Sequence, residues 1–154
     1  MNEQIRKLLD AGLIAKEPAT GDEIADLWAG AVEAYSDAVE NRYPNRRLLA
    51  AYDSARLIAL VLLRSADLRV RAQNHHEMTF TVAGFLAEDD LVDLLSLFEP
   101  LRLERSKIEY GRRVRAPKID IEKLLPRLRE FLERGRALLL RLRPDLRTSL
   151  PPAP

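Results

Sequence analysis

The amino-acid sequence predicts an all-α domain, and three observations support this fold class. Apolar residues recur at spacings of three and four along almost the whole chain, which is the pattern of amphipathic helices. No stretch shows the strict alternation typical of a half-buried strand. The length of 154 residues fits one domain, with 47% hydrophobic residues to form its core. We place this domain at 1–143 and expect a disordered, proline-rich tail at 144–154.

The first half of the chain predicts one short helix and two long ones. The short N-terminal helix carries one apolar stripe, made of Ile5, Leu8, Leu9 and Leu13. Thr20 and Glu23 have the spacing of a capping box and start the second helix, which ends within 41–45. The third helix spans roughly 46–67 and is apolar on every side at 57–63. This pattern indicates a central, buried helix.

The second half predicts a loop at 69–76, a short helix from about 77 to 87, and two longer helices. The first of the longer helices starts after the acids at 88–90 and contains Pro100, which we expect to kink or divide it. The last helix has the cleanest apolar period in the chain. Because Pro126 lacks an N–H donor, we expect this helix to start late or to bend there.

Composition excludes several classes of protein. The absence of cysteine removes disulfides, thiolate zinc sites and cysteine nucleophiles. The longest apolar run, at 57–63, is far shorter than a membrane span of roughly 18 residues, so we expect no membrane association. The first residues lack the apolar stretch of a signal peptide, which makes the cytoplasm the expected location. We see no metal-ligand spacing and expect no metal and no organic cofactor.

Charge is divided unevenly along the chain. Residues 1–99 contain 10 basic and 17 acidic side chains, whereas residues 100–154 contain 15 basic and 7 acidic ones. Twenty of the 25 basic residues are arginine, the cation that pairs with phosphates in a bidentate manner. Either a compositional bias towards arginine or a phosphate-binding role would account for this excess of arginine.

Three short motifs carry a resemblance to a known family. They are AYDSAR at 51–56, the two histidines that follow it at 75–76, and an R-x-x-R-S-x-x-E-Y pattern at 102–110. In order and spacing the chain resembles the HEPN superfamily of nucleotide-binding helical domains. The resemblance implies an antiparallel up-and-down bundle of four to five helices, commonly homodimeric and associated with prokaryotic toxin–antitoxin or defence systems. Active members are metal-independent RNases, whose composite cleft is built by two protomers.

The family pattern places an arginine, a polar neighbour and a histidine on a late helix. Arg105 matches the arginine, Ser106 takes the polar position, and Tyr110 stands where a histidine is expected. Arg105 could stabilise developing negative charge, but a tyrosine with a pKa near 10 is a poor base at neutral pH. On one helix Arg105 and Tyr110 lie about 140° apart, so they would meet only across a shared cleft. The departure favours a member without efficient nuclease activity.

Alternative explanations remain for the charged residues of this motif. Arg102, Arg105 and Glu109 lie on one helical stripe, which suits either a salt-bridge ladder or a contact with phosphate. The basic residues that follow would extend a phosphate-binding surface: Arg112, Arg113, Arg115 and Lys118. His75 and His76 could move protons as accessory groups, or one of them could cap or pack at the next helix.

Three functional hypotheses follow from these residues. The first is a binding module for RNA or a nucleotide, without efficient cleavage. The second is a metal-independent RNase in which Arg105 stabilises charge while Tyr110, His75 or His76 moves protons. The third is a helical docking module whose arginines anchor an acidic protein such as a cognate antitoxin or a neighbour-encoded chain. Uneven charge also favours a homodimer, because an acidic surface of one copy could face a basic surface of another.

Overall fold

The computed structural model describes residues 2–87, 89–109 and 119–154. Within these ranges the protein is mostly helical, which is consistent with the predicted all-α class. The elements follow in the order α1 (Glu3–Asp10), β1 (Ile14–Lys16), α2 (Gly21–Glu40), α3 (Pro44–Ser65), β2 (Leu68–Val70), α4 (His75–Leu86), α5 (Asp89–Glu109), α6 (Ile121–Leu142) and a 3₁₀ helix (Pro144–Leu146). No helix in the described ranges is long and apolar enough to cross a membrane.

A two-stranded antiparallel sheet is the part of the fold that was not predicted. Ile14 pairs with Val70 and Lys16 with Leu68. Strands of three residues are too short to display an alternating pattern, and β2 overlaps the start of the predicted loop at 69–76. The chain reaches β2 through Asp67, whose positive φ of 57° turns the backbone directly after α3.

Helix α3 is the centre of the fold, as its sequence predicts. It packs against α2, α4, α5 and α6. From Ile58 to Ser65 nearly every side chain is buried, which agrees with the predicted helix that is apolar on all sides. At Gly135 the backbone of α6 packs directly on the Ile58 side chain of α3, because a Cβ atom there would lie 2.8 Å from the Ile58 Cγ2 atom.

Pro100 does not divide its helix, and Pro126 does not delay the start of its own, so these two of the expected effects are absent from α5 and α6. Helix α5 continues through Pro100, and α6 begins directly after Asp120 although Pro126 lies within it. Phe98 and Leu101, on either side of Pro100, are both fully buried. The packing of these neighbours offsets the lost hydrogen bond and the steric cost of the ring. Asp120 accepts a hydrogen bond from the Glu122 N–H, which fixes the start of α6 ahead of its proline.

A buried cation connects the sheet to the helices. The Arg64 guanidinium, at 2% exposure, donates to both carboxylate oxygens of Glu23 and to the carbonyl oxygens of Glu17, Pro18 and Leu68. The predicted cap is confirmed as well, since the Thr20 hydroxyl accepts from the Glu23 N–H at 3.1 Å. One side chain of α3 thus ties together β2, α2 and the chain that precedes α2.

The segment after α6, for which we expected disorder, lies against α6 in the structure. Leu150 is 5% exposed, and the Arg136 guanidinium donates to the carbonyl oxygens of Leu150 and Pro151. Arg129 donates to the carbonyl of Pro154. These two arginines of α6, which belong to the basic part of the chain after residue 99, therefore stabilise the docked tail. Their guanidinium groups donate to carbonyl oxygens outside the helices and strands.

Candidate functional site

The candidate site is a cleft between the start of α4 and the last turns of α5, which we call the α4–α5 cleft. Its volume is about 370 Å³, and its lining consists of Gln73, Asn74, His75, His76, Glu77, Arg102, Arg105 and Ser106. Two arginines and two histidines that are far apart in the sequence therefore line one cavity. Glu77 adds one carboxylate to this lining.

Helix α5 places Arg105 at the end of a buried stripe. Leu94, Phe98 and Leu101 are buried at spacings of four and three, and Arg105 follows four residues later on the same side. Its guanidinium carbon lies 5.0 Å from the centre of the Tyr52 ring of α3, a cation–π distance. Arg102 lies one turn earlier and also lines the cleft. Both arginines of the stripe therefore line the α4–α5 cleft.

Helix α4 brings the histidines to the same tyrosine. It starts at His75, two residues before the predicted start, so both histidines lie in its first turn and not in a loop. His76 and Phe80 are one turn apart, and their rings lie 5.9 and 6.1 Å from the Tyr52 ring. The hydroxyl of Tyr52 lies 2.9 Å from Nδ1 of His76. Tyr52 thus contacts one lining residue from each helix of the cleft, His76 of α4 and Arg105 of α5.

The N-terminus of α4 adds a favourable field for anions. Asn74 occupies the N-cap position but makes no side-chain cap hydrogen bond. The first N–H groups of a helix have no acceptor within the helix, and its dipole places partial positive charge at this end. Because Asn74, His75 and His76 line the cleft, this end of α4 opens into it. Helix ends of this kind bind phosphate when cations are close by.

The surroundings of Tyr52 are cationic. Burial raises the pKa of Tyr52 above its ordinary value, while the guanidinium groups of Arg105, Arg56 and Arg102 act in the opposite direction. Asp53 adds a smaller contribution that raises the pKa. Arg56 follows Tyr52 by one turn of α3, and its buried Nε has no hydrogen-bond partner among the described residues. Three arginines therefore surround one neutral phenol.

Only some of the residues proposed from sequence can be placed. Arg102, Arg105, His75 and His76 come together in the α4–α5 cleft. The other proposed residues lie outside the described residues: Tyr110, Arg112, Arg113, Arg115 and Lys118. The same holds for the side chain of Glu109, on which the ion-pair explanation depends. His76 packs against Tyr52, which agrees with the structural alternative for the histidines. It also lines the cleft, which a role as an accessory group in proton transfer requires.

Two residues of the site were missed. Its apolar helical spacing alone places Tyr52 in the core, where it is fully buried, but its hydroxyl and ring also contact His76 and Arg105 of the cleft. Arg56 received no role. The motif AYDSAR carries the signal that could have found both, since a tyrosine and an arginine four residues apart lie on the same face of a helix.

The described residues contain no cluster of three or more histidine, aspartate or glutamate side chains that could hold a metal ion. Guanidinium and imidazole groups are among the side chains that line the α4–α5 cleft. Such groups bind phosphoryl oxygens, and imidazole can also transfer protons.

Comparison with known proteins finds no family model, no curated protein and no solved structure that matches this chain.

Proposed function

We propose that this chain is a HEPN-like helical bundle that binds RNA or a nucleotide through phosphate contacts in the α4–α5 cleft, in a prokaryotic toxin–antitoxin or defence context. The single observation that carries the proposal is the meeting of Arg102, Arg105 and two histidines in one cleft at the start of α4. Arginine and imidazole N–H groups are suited to phosphoryl oxygens, and the helix end favours negative charge. The motif resemblance supplies the context.

Binding to single-stranded RNA tests this proposal. Fluorescence anisotropy with a labelled oligonucleotide should show an affinity that falls steeply between about 50 and about 200 mM salt. Arg102→Ala and Arg105→Ala should each weaken binding, and each lost phosphate contact should reduce the salt slope by about 0.7. Inorganic phosphate and a nucleoside monophosphate, used as competitors, distinguish a site for single phosphates from one that requires a chain.

Arg127→Ala is the matched control, because it removes an arginine from α6 that pairs with Glu130 on the surface. This variant should bind RNA like the wild type if the cleft is the site. Equal losses in Arg127→Ala and Arg105→Ala would indicate unspecific attraction to positive charge. A folded wild-type protein that binds neither RNA nor nucleotide at low salt would overturn the proposal and leave a protein-docking module.

One observation favours a second function, a metal-independent RNase. His75 and His76 line the same cleft as Arg105, so groups that can move protons lie near a cation that can stabilise a phosphorane. The purified protein should then cleave RNA without added metal, and Arg105→Ala should abolish cleavage. The His75→Ala/His76→Ala double variant shows whether the imidazoles take part. Activity that persists in Arg105→Ala would point to a contaminating nuclease or to another site.

Dimerisation belongs to the proposal, since the resemblance implies a cleft shared by two protomers. Light scattering should give the mass of a homodimer, and a monomeric mass would contradict it. A cognate antitoxin or another neighbour-encoded chain should co-purify with the protein if the context is correct. Variants of the α4–α5 cleft then show whether this partner and RNA compete for the same arginines.

A further inference from the structure

An exposed tyrosine lies beside two exposed arginines where α3 begins. We call Arg42, Tyr43 and Arg46 the Arg–Tyr–Arg patch. We propose that this patch is a second contact surface for single-stranded RNA, on which one base stacks against the Tyr43 ring while the two guanidinium groups contact phosphates. The patch is separate from the α4–α5 cleft, because none of its residues lines that cavity. It extends the proposed function by a site that recognises the bases as well as the phosphates.

Packing does not account for the Tyr43 ring. The ring is 51% exposed and does not pack against the core of the described residues, whereas Tyr35 does and Tyr52 is fully buried. An aromatic residue stabilises a fold by the apolar surface that it removes from water. A side chain that stays half in water contributes little of that free energy. Its accessible ring surface is the kind of surface on which a planar ligand stacks.

The chain around Tyr43 holds the ring in place. Pro44 follows it, and a residue before proline is sterically restricted to extended backbone, which Tyr43 adopts with φ −92° and ψ 117°. The Tyr43 N–H donates to Oδ1 of Asn41 at 2.9 Å. The Arg42 guanidinium donates to the Tyr43 hydroxyl at 2.7 Å. Because backbone and hydroxyl are both fixed in advance, little conformational entropy is lost when a base stacks on the ring.

Two cations lie next to this ring. The guanidinium carbons of Arg42 and Arg46 are 4.9 and 5.7 Å from its centre, which are cation–π distances. Within the described residues neither cation forms an ion pair with a carboxylate, whereas Arg47 of the same turn pairs with Glu122 and donates to the carbonyl of Ala38. Arg46 also gains nothing from the helix dipole, since it lies in the positive first turn of α3, which contains no acid.

Single-stranded RNA is a ligand that uses all three side chains. Each of its bases has a π face that can stack on an aromatic ring, and each base is flanked by charged phosphates. Arginine binds phosphate oxygens through paired N–H donors. A duplex keeps its bases stacked on one another, so it would not offer a face to Tyr43. An acidic peptide would use the two arginines and leave the ring without a role.

Variants of Tyr43 test the stacking. Fluorescence anisotropy with a labelled single-stranded RNA of about 12 nucleotides measures the affinity. Tyr43→Ala should lower it by about 5- to 150-fold, the value of one stacked base. Tyr43→Phe should bind almost as tightly as the wild type, because it keeps the aromatic ring. Tyr43→Leu keeps apolar surface without a π face and should lose as much as Tyr43→Ala. Wild-type affinity in Tyr43→Ala would overturn the proposal.

The salt dependence separates the ring from the cations. Arg42→Ala and Arg46→Ala should each reduce the salt slope by about 0.7, because each removes one phosphate contact. Tyr43→Ala should lower the affinity and leave the slope unchanged, since a neutral ring releases no counterions. Arg127→Ala, which removes an arginine that pairs with Glu130 on α6, is the matched control and should change neither quantity. A reduced slope in Tyr43→Ala would mean that the ring acts only through the arginines, which contradicts stacking.

An abasic chain isolates the contribution of the bases. A sugar–phosphate strand of the same length keeps the negative charge and offers nothing that can stack. It should bind the wild type more weakly than RNA does, and it should bind Tyr43→Ala as well as it binds the wild type. If Tyr43→Ala weakened the binding of both strands equally, the ring would not stack on a base and the proposal would be wrong.

The patch and the cleft fail in different ways. If Arg102→Ala and Arg105→Ala weaken RNA binding and Tyr43→Ala does not, the cleft stands and the patch is wrong. If Tyr43→Ala weakens binding and the two cleft variants do not, the patch stands and the cleft is wrong. A folded wild type that binds no RNA at low salt refutes both. Thermal unfolding checks the variants, and Tyr43→Ala should keep a Tm close to that of the wild type because its side chain lies outside the core.

Discussion

Replacement of Arg64 by methionine should be among the most destabilising changes in this chain that leave its volume almost unaltered. The wild-type guanidinium is 2% exposed and donates five hydrogen bonds, to the Glu23 carboxylate and to three backbone carbonyls. Breaking a buried ion pair costs about 3 to 5 kcal/mol, because the remaining partners lose their donors. Glu23 is a third exposed and keeps Arg69 at 3.5 Å, so its carboxylate can be partly rehydrated.

We therefore expect the lower end of that range, about 3 kcal/mol of unfolding free energy. For a chain of this size the corresponding fall in Tm is roughly 6 to 12 °C. Arg69→Met is the comparison variant, because the Arg69 side chain is 41% exposed and pairs with Glu17 and, at 3.5 Å, with Glu23 at partly exposed positions. A pair of that kind contributes at most about 1 kcal/mol. Urea denaturation with a common slope for all three proteins measures both differences.

The pH dependence of the unfolding free energy tests independently whether the Arg64–Glu23 ion pair causes this loss of stability. The hydrogen bond from Arg64 lowers the pKa of Glu23 below its ordinary value of 4.5. A carboxyl group with a lowered pKa in the folded state stabilises the protein above its unfolded pKa, and this contribution is lost as the pH falls through the folded value. The difference between wild type and Arg64→Met should therefore narrow below a pH of about 4.5. The reasoning would be refuted if the difference in unfolding free energy between wild type and Arg64→Met did not change with pH. A loss of unfolding free energy no larger than that of Arg69→Met would also refute it.

Three further changes test the packing, a helix cap and the tail. Gly135→Ala should lower the unfolding free energy by about 1 to 3 kcal/mol, because its Cβ would lie 2.8 Å from the Ile58 side chain. Gly84→Ala, whose Cβ would lie 4.0 Å from its nearest neighbour, should be neutral or stabilising. Urea denaturation midpoints measure both variants, and equal effects would argue against close packing of α3 on α6. Thr20→Ala should cost about 1 kcal/mol by the loss of the α2 cap, and Thr20→Ser should restore most of it in the same assay. Leu150→Ala should cost about 2 kcal/mol if the tail is docked as in the structure, and an unchanged Tm would support the disorder that the sequence favours.

Local sequence patterns predicted the helices, although α1 ends at Asp10, before Leu13, and α4 begins at His75, two residues earlier than predicted. The capping pair at Thr20 and Glu23 and the apolar run inside α3 each depend on residues within a few turns of one another. The prolines did not mark helix boundaries. Pro100 and Pro126 are tolerated inside α5 and α6 because buried neighbouring side chains stabilise these helices. The short strands were missed for a related reason, since their pairing depends on a partner more than fifty residues away.

The candidate site could be predicted only in part. Arg102 and Arg105 were singled out by their motif, and His75 and His76 by their type, but nothing in the sequence placed the two pairs together. Their meeting point is Tyr52, which a helical period alone assigns to the core. A residue can be buried and still direct a hydrogen bond towards a site, and periodicity cannot distinguish these two roles.

The sequence by itself determined the helical class, the buried position of α3 and the clustering of positive charge after residue 99, because each is a property of neighbouring residues or of composition. Only the tertiary structure decided that the first turn of α4 and the end of α5 meet over Tyr52. The physical reason is that periodicity defines which face of a helix is buried, whereas the rotation and offset of packed helices define which distant side chains touch. The α4–α5 cleft, with its arginines, imidazoles and buried phenol, results from that packing.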